Sequence, residues 1–249
     1  MKMQRAFAGL LSGLLFVGVG QPLAAPAAEQ AKVSAAVPAG HSLLYEQSFE
    51  KGDPIRDFVF TDRSAWKVTG EGKSRALELV KQSDYKPAVR SPFNIALLAD
   101  RQFGDFVIEV DLLQTGREYG HRDMCLFFGL QDPGRFYYVH LATKMDDHAH
   151  NVFIVNNAPR TKISTRTTEG VNWGLEIWHR VRLERKIKEG TIRVFFDDME
   201  KPVMEARDTT FGVGAIGFGS FDDTGKVKNI RIWGPRLEKS RTEIYQRPE

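Results

Sequence analysis

From Ser42 to Trp233 the chain runs in short stretches where apolar and polar side chains alternate, broken by clusters of Gly, Asp, Asn and Pro. Successive side chains of a strand point to opposite faces, so a period of two predicts half-buried β-strands. Turn clusters recurring every ~10–15 residues predict an all-β sandwich rather than βαβ units. The clearest strands are Leu43–Phe49, Ala76–Val80, Phe106–Leu113, Met124–Leu130, Phe136–Leu141, Val152–Asn156, Trp178–Glu184, Thr191–Phe196, Val213–Phe218 and Val227–Trp233. No segment carries the apolar spacing of an amphipathic helix. So many strands in one domain predict two stacked antiparallel sheets. Asp197–Glu200, between Thr191–Phe196 and Pro202–Ala206, reads as a hairpin connection, and Gly212, Gly214, Gly217 and Gly219 predict bulges or close backbone approach in one strand.

Strand parity also nominates residues for the face turned away from the core. Phe106, Ile108, Val110 and Leu112 belong to the core, which leaves Glu109 and Asp111 opposite. Tyr137, Val139 and Leu141 belong to the core, leaving Tyr138 and His140 together on the other side. Met124, Leu126 and Phe128 point in, so Asp123 points out. If these three strands are neighbours in one sheet, its outer surface carries Glu109, Asp111, Asp123, Tyr138 and His140. Carboxylates and His hydrogen-bond sugar hydroxyls, and an aromatic face stacks on the apolar side of a sugar ring. The alternative is an ordinary solvated face, which antiparallel sheets show routinely.

Loops add candidates. Lys144–Asn151 holds His148 and His150, which in extended backbone would share a face and reach one substrate or one metal ion. A substrate-contact loop or an exposed polar turn both suit it better than a transition-metal site, and no metal ligand set is assigned. Asn156 and Arg160 flank the turn after the next strand, where Arg160 is placed to clamp an acidic sugar or to sit on the surface. Ser220–Gly225 contains Asp222 and Asp223 in an oxygen-rich loop, which suits a structural calcium or an ordinary turn.

The N-terminus changes the cellular picture. Lys2 and Arg5 precede an apolar run from Ala6 to Val19 and then a small-residue segment ending near Ala28. This three-part layout predicts a secretory signal peptide over 1–28, a flexible lead-in over 29–41, a sandwich over 42–236 and a C-terminal tail over 237–249. The apolar run is short for a membrane span, which needs ~20 residues, so an exported, periplasmic or extracellular protein is expected. Loss of Lys2 and Arg5 with the leader takes the formal charge from +3 to +1. A near-neutral domain of interspersed signs carries no electrostatic footprint for nucleic acid. Cys125 is the only cysteine, so no intramolecular disulfide can form.

The second half carries a resemblance. Trp178–Glu184, Gly190–Asp198, Thr210–Ser220 and Val227–Trp233 resemble the closing strands of concanavalin A-like, laminin-G-like jelly-roll domains. More narrowly, Gly104–Val110 and the Trp178-His179 strand resemble the 3-keto-disaccharide hydrolase domain, a family 16-like glycoside hydrolase. That resemblance implies a two-sheet antiparallel jelly roll acting on a glycan or small saccharide. If a glycosidic bond is cleaved, the strand and loop candidates supply the groups: His140 as general acid or base, Tyr138 as its proton-transfer partner and Glu109 beside them, with Asp111, Asp123, His148, His150, Asn156 and Arg160 contacting substrate. The alternative is a non-catalytic, lectin-like module of the cell envelope.

Overall fold

The computed structural model describes residues 37–239 together with Tyr245. The predicted leader over 1–28 lies outside the described residues, as does most of the tail. Strands β1 (Ser42–Gln47), β2 (Phe58–Phe60), β3 (Trp66–Thr69), β4 (Ala76–Leu79), β5 (Asn94–Leu98) and β6 (Arg101–Phe103) open the domain. They are followed by β7 (Phe106–Gln114), β8 (Asp123–Asp132), β9 (Arg135–Ala142), β10 (Asn151–Asn156), β11 (Thr161–Lys162) and β12 (Ser164–Thr167). The last six are β13 (His179–Lys186), β14 (Thr191–Phe196), β15 (Met204–Arg207), β16 (Ala215–Ser220), β17 (Gly225–Gly234) and β18 (Leu237–Lys239). Each of the ten strands expected from alternation has a counterpart here, and among the described residues helix is confined to three short 3-10 turns. Among the described residues, no helix is long and apolar enough to cross a membrane.

Two large antiparallel sheets result, beside a two-stranded pairing of β18 with β6. The nine-stranded sheet runs β12-β15-β14-β13-β7-β17-β4-β3, with β1 also on β17, and the seven-stranded sheet runs β11-β10-β9-β8-β16-β5-β2. Between them lies the core predicted by parity: Phe106, Ile108, Val110 and Leu112 from β7 meet Met124, Leu126, Phe128, Tyr137, Val139 and Leu141 from β8 and β9. Each such side chain, fully buried, contributes on the order of 1.5–3 kcal/mol. The expected hairpin is present, since β14 and β15 pair antiparallel around Asp198. Glycines in and just before β16 are there because strands approach too closely for side chains: a Cβ at Gly219 would lie 1.8 Å from the Asn94 carbonyl oxygen, and one at Gly214 2.4 Å from the Gly129 backbone.

One expectation about layout fails. β8 and β9 are neighbours, with Cys125 directly opposite His140, but β7 belongs to the other sheet, between β13 and β17. Parity fixes which residues share a face of one strand. It carries no information on which strands share a sheet, because β7 and β8 have the same alternation and pack core to core.

The seven-stranded sheet is also covered on its second face. Val59, Ile95, Leu97, Cys125, Phe127, Phe136, Tyr138, Phe153 and Val155 form a second apolar cluster there, against which Val89 and Tyr245 pack. Segment 81–93 is tied down beside it. Ser83 N–H donates to Asn94 Oδ1 at 2.7 Å, and Asp84 N–H to Asp62 Oδ2 at 3.0 Å.

Candidate functional site

The polar groups of β8 and β9 collect at one end of the seven-stranded sheet, where β8 begins and β9 and β16 end. Asp123 is fully buried. Its carboxylate accepts from Ser220 Oγ at 2.9 Å, Phe221 N–H at 2.9 Å and Cys125 Sγ at 3.0 Å. Burial, opposed by these donors, holds the Asp123 carboxyl well above the usual range, and the Asp223 carboxylate adds to the rise. Asp223 is raised in turn by burial; its Oδ2 accepts from Tyr119 OH at 2.8 Å and Asp123 N–H at 3.0 Å.

His140 sits 3.7 Å from Asp123 Oδ2 through Nε2. Its Nδ1 accepts the His150 N–H at 3.3 Å, which places the ring proton on Nε2, facing the carboxylate. Burial first, then the charge of Arg160, keeps His140 well below its ordinary pKa and hence neutral. His150 is likewise pushed down to about 4 by burial, with Nε2 3.0 Å from Thr168 Oγ1. Tyr138 lies stacked on Phe153 at 5.1 Å and on Phe127 at 6.0 Å, and burial raises its phenol.

The open part of this region is formed by Arg160, Phe221 and Phe93. Arg160 leaves the turn between β10 and β11 and lies across the face, its guanidinium 4.2 Å from the Phe221 ring centroid and 5.0 Å from that of Phe153. Nη1 donates to the Tyr138 hydroxyl at 3.0 Å, and the Arg160 N–H is bonded to the Arg90 carbonyl at 3.1 Å. Phe221 packs edge-on against Phe93, and both rings are partly exposed, beside the exposed Asp222.

Of the residues nominated by the sequence, Asp123, Tyr138, His140, His150 and Arg160 therefore converge, and the rest do not. Glu109 and Asp111 are on the outer face of the other sheet, where cross-strand arginines take them: Glu109 Oε1 holds Arg182 Nε at 3.0 Å, and Asp111 holds Arg180 Nε at 3.3 Å and Asn229 Nδ2 at 2.7 Å. Asn156 pairs with Arg135, at the opposite end of β9 from His140. His148 is exposed and donates its N–H to Asp146 at 2.7 Å, whereas His150 adopts φ of 52° and is buried, so the two imidazoles do not share a face. The expectation for His148 and His150 assumed extended backbone, and the left-handed residue reverses it. Tyr138 and His140 do share the outer face, but it is closed over them rather than open to a cleft. Phe221 and Phe93 went unremarked in the sequence, although an aromatic inside the polar run Ser220-Phe221-Asp222-Asp223 is the signal that singles out the first.

Two sets of groups were tested as ion sites. Ligand atoms of Asp123, Cys125 and His140 lie within 4.8 Å of one another, as do those of Asp123, Asp222 and Asp223. The tautomer set by His150 turns an N–H, not a lone pair, toward the first set. In the second, the oxygens of Asp123 and Oδ2 of Asp223 are already met by protein donors, whereas calcium takes roughly 6–8 free oxygen ligands. Both sets fit a hydrogen-bonded network better than a metal cage, and at Ser220–Gly225, which suits a structural calcium or an ordinary turn, the bonds already made to Asp123 and Asp223 favour the turn.

No protein family and no curated protein matches the chain by sequence. Solved structures do match. A winged bean acidic lectin in complex with methyl-α-D-galactose superposes with a TM-score of 0.52 at 10% identity, over 81% of this chain and 100% of the lectin. The chain is a concanavalin A-like jelly roll. A carbohydrate-binding module from Bacillus subtilis matches the jelly roll with a TM-score of 0.51 at 17% identity, over 74% of this chain and 97% of the module. A Bacillus subtilis protein of unknown function with a galectin-like fold gives 0.51 at 12% identity, over 80% and 98%.

Proposed function

We propose that this jelly roll binds a saccharide, without cleaving it, at the open end of the outer face of the seven-stranded sheet. The observation that carries the reading is the stack of Phe153, Arg160 and Phe221 over the Tyr138 hydroxyl, with the partly exposed Phe221 and Phe93 rings at its edge. An exposed ring fixed edge-on by a second ring and backed by a guanidinium is a rigid stacking surface, and rigidity lowers the entropy lost on binding. Asp222 stands beside it to accept hydroxyl protons. Two of the solved jelly rolls above are a lectin in complex with a galactoside and a carbohydrate-binding module, which supports the reading. Cleavage is left out because His140, the candidate general acid or base, is enclosed, and Glu109 is tied to Arg182 on the other sheet.

Glycan-array screening followed by calorimetry tests this. Wild type is expected to bind at least one saccharide with no product detectable by mass spectrometry, and Phe221→Ala to weaken that binding by about tenfold, or ~1.4 kcal/mol. Unchanged affinity in the variant removes the proposed surface, and product release replaces binding with turnover. We further propose that the protein acts after export. The leader-like layout of residues 1–28 supports this, and periplasmic fractionation of a tagged full-length chain is the check.

A further inference from the structure

We infer that Arg160 makes the proposed saccharide site selective for sugars bearing a carboxylate. The inference rests on the saccharide-binding reading and adds the class of sugar. A guanidinium offers five N–H donors in a planar fork that matches a carboxylate through two parallel bonds. Arg160 uses Nη1 for the Tyr138 hydroxyl, and among the described residues no carboxylate or carbonyl takes its Nε or Nη2. Several other arginines of the sandwich are committed to acceptors. Arg182 holds Glu109, Arg193 holds Glu184, Arg231 holds Glu46 at 2.9 Å, and Arg185 donates to the carbonyls of Gly190, Asp208 and Phe211. Arg160 is thus a cation held in place whose Nε and Nη2 are not taken by a protein acceptor among the described residues.

Three features suit this fork of donors to a ligand rather than to water alone. The rings of Phe153 and Phe221 bracket the guanidinium at 5.0 and 4.2 Å, which fixes its plane and withdraws it from bulk solvent, where charge interactions are weak. The backbone N–H of Arg160 is tied to Arg90, so the turn that carries it is anchored to segment 81–93. Phe221 is both a bracket for the guanidinium and the proposed stacking surface. A sugar ring lying on Phe221 therefore brings a substituent of its own within reach of Nε and Nη2. The planar, bidentate geometry points to a carboxylate, as in a uronic acid.

The experiment compares each acidic oligosaccharide that binds with its methyl-ester counterpart, which keeps the shape and loses the charge. By calorimetry at low salt, wild type is expected to bind the free acid at least about tenfold more tightly than the ester, a preference that shrinks as salt is raised. Arg160→Gln abolishes the preference while binding of the ester is retained, and Arg160→Lys restores part of it, because a lysine supplies charge without the fork. Equal affinity of wild type for acid and ester overturns the inference, and so does a preference that survives in Arg160→Gln. In both cases ester binding that remains sensitive to Phe221→Ala leaves the saccharide site standing. Absence of binding to either form by wild type overturns the inference alone if a neutral saccharide still binds in a manner sensitive to Phe221→Ala, and removes the site as well if no saccharide binds. Circular dichroism of each variant confirms the sandwich fold before affinities are compared.

Discussion

Replacing Glu109 by Leu separates a structural carboxylate from a functional one. Glu109 and Arg182 face each other across β7 and β13 on the outer surface of the nine-stranded sheet, and their side chains are only 5% and 6% exposed. Removing the carboxylate strands a guanidinium in a place with little water. Breaking a buried pair from one side commonly costs ~3–5 kcal/mol. Here Glu184 remains 4.0 Å from Arg182 Nη1 and the Phe195 ring lies 6.0 Å from the guanidinium, so part of the charge keeps company. A loss of about 2–4 kcal/mol is expected on that account, equivalent to a fall in Tm of roughly 4–16 °C for a domain of this size. In the double variant Glu109→Leu/Arg182→Met both charges leave, and leucine and methionine fill similar volume. Stability should then return to within about 1 kcal/mol of wild type, a coupling of at least about 1 kcal/mol between the two sites.

Equilibrium denaturation in guanidinium chloride, followed by tryptophan fluorescence, measures all four corners of that cycle. An unchanged m-value keeps the two-state comparison valid. The reasoning is refuted if Glu109→Leu lies within about 0.5 kcal/mol of wild type, or if the double variant is as unstable as the sum of the single ones. Saccharide binding by the folded double variant should match wild type, since the site proposed above is on the other sheet.

Alkaline stability and strand contacts give further checks. Burial, followed by its bond to Asp208, pushes the Tyr137 phenol up to about 12. A folded pKa above the unfolded value of about 10 means a stabilisation present below pH ~10 and lost as the pH climbs toward ~12, worth at most about 2 kcal/mol because Asp208 is partly solvated. Tyr137→Phe should lower the slope of stability against pH across that window by one proton, and parallel slopes would contradict the assignment. Gly214→Ala should prevent soluble folding or strongly depress Tm, since its Cβ meets backbone at 2.4 Å, whereas Gly212→Ala, whose nearest neighbour is the Ile187 side chain at 3.9 Å, should be tolerated. Equal melting temperatures for the two would mean that β16 can shift away from β8.

Strand parity was legible because it is local: every residue assigned to the core of β7, β8 and β9 by alternation is in the core. Sheet membership was not, since it depends on which strands pair over long stretches of sequence, and Glu109 was grouped with His140 for lack of that information. The covering of the seven-stranded sheet did leave a trace. In Met124-Cys125-Leu126-Phe127-Phe128 both parities are apolar, and Phe136 and Phe153 add rings to the side that alternation had marked as outward. Runs that are apolar at both parities belong to strands buried on both faces. Applied to β8 and β9, the same rule encloses Tyr138 and His140 from the sequence alone, and it leaves the edge of that covering as the place for a ligand site. There the residues that reach water, Arg160 and Phe221, come from turns whose conformation no strand periodicity encodes. Arg160 was nominated from the sequence for its fork of donors, and its chemistry was visible there; its two aromatic brackets were not, because Phe153 and Phe221 come together only once β10 and β16 are placed in one sheet.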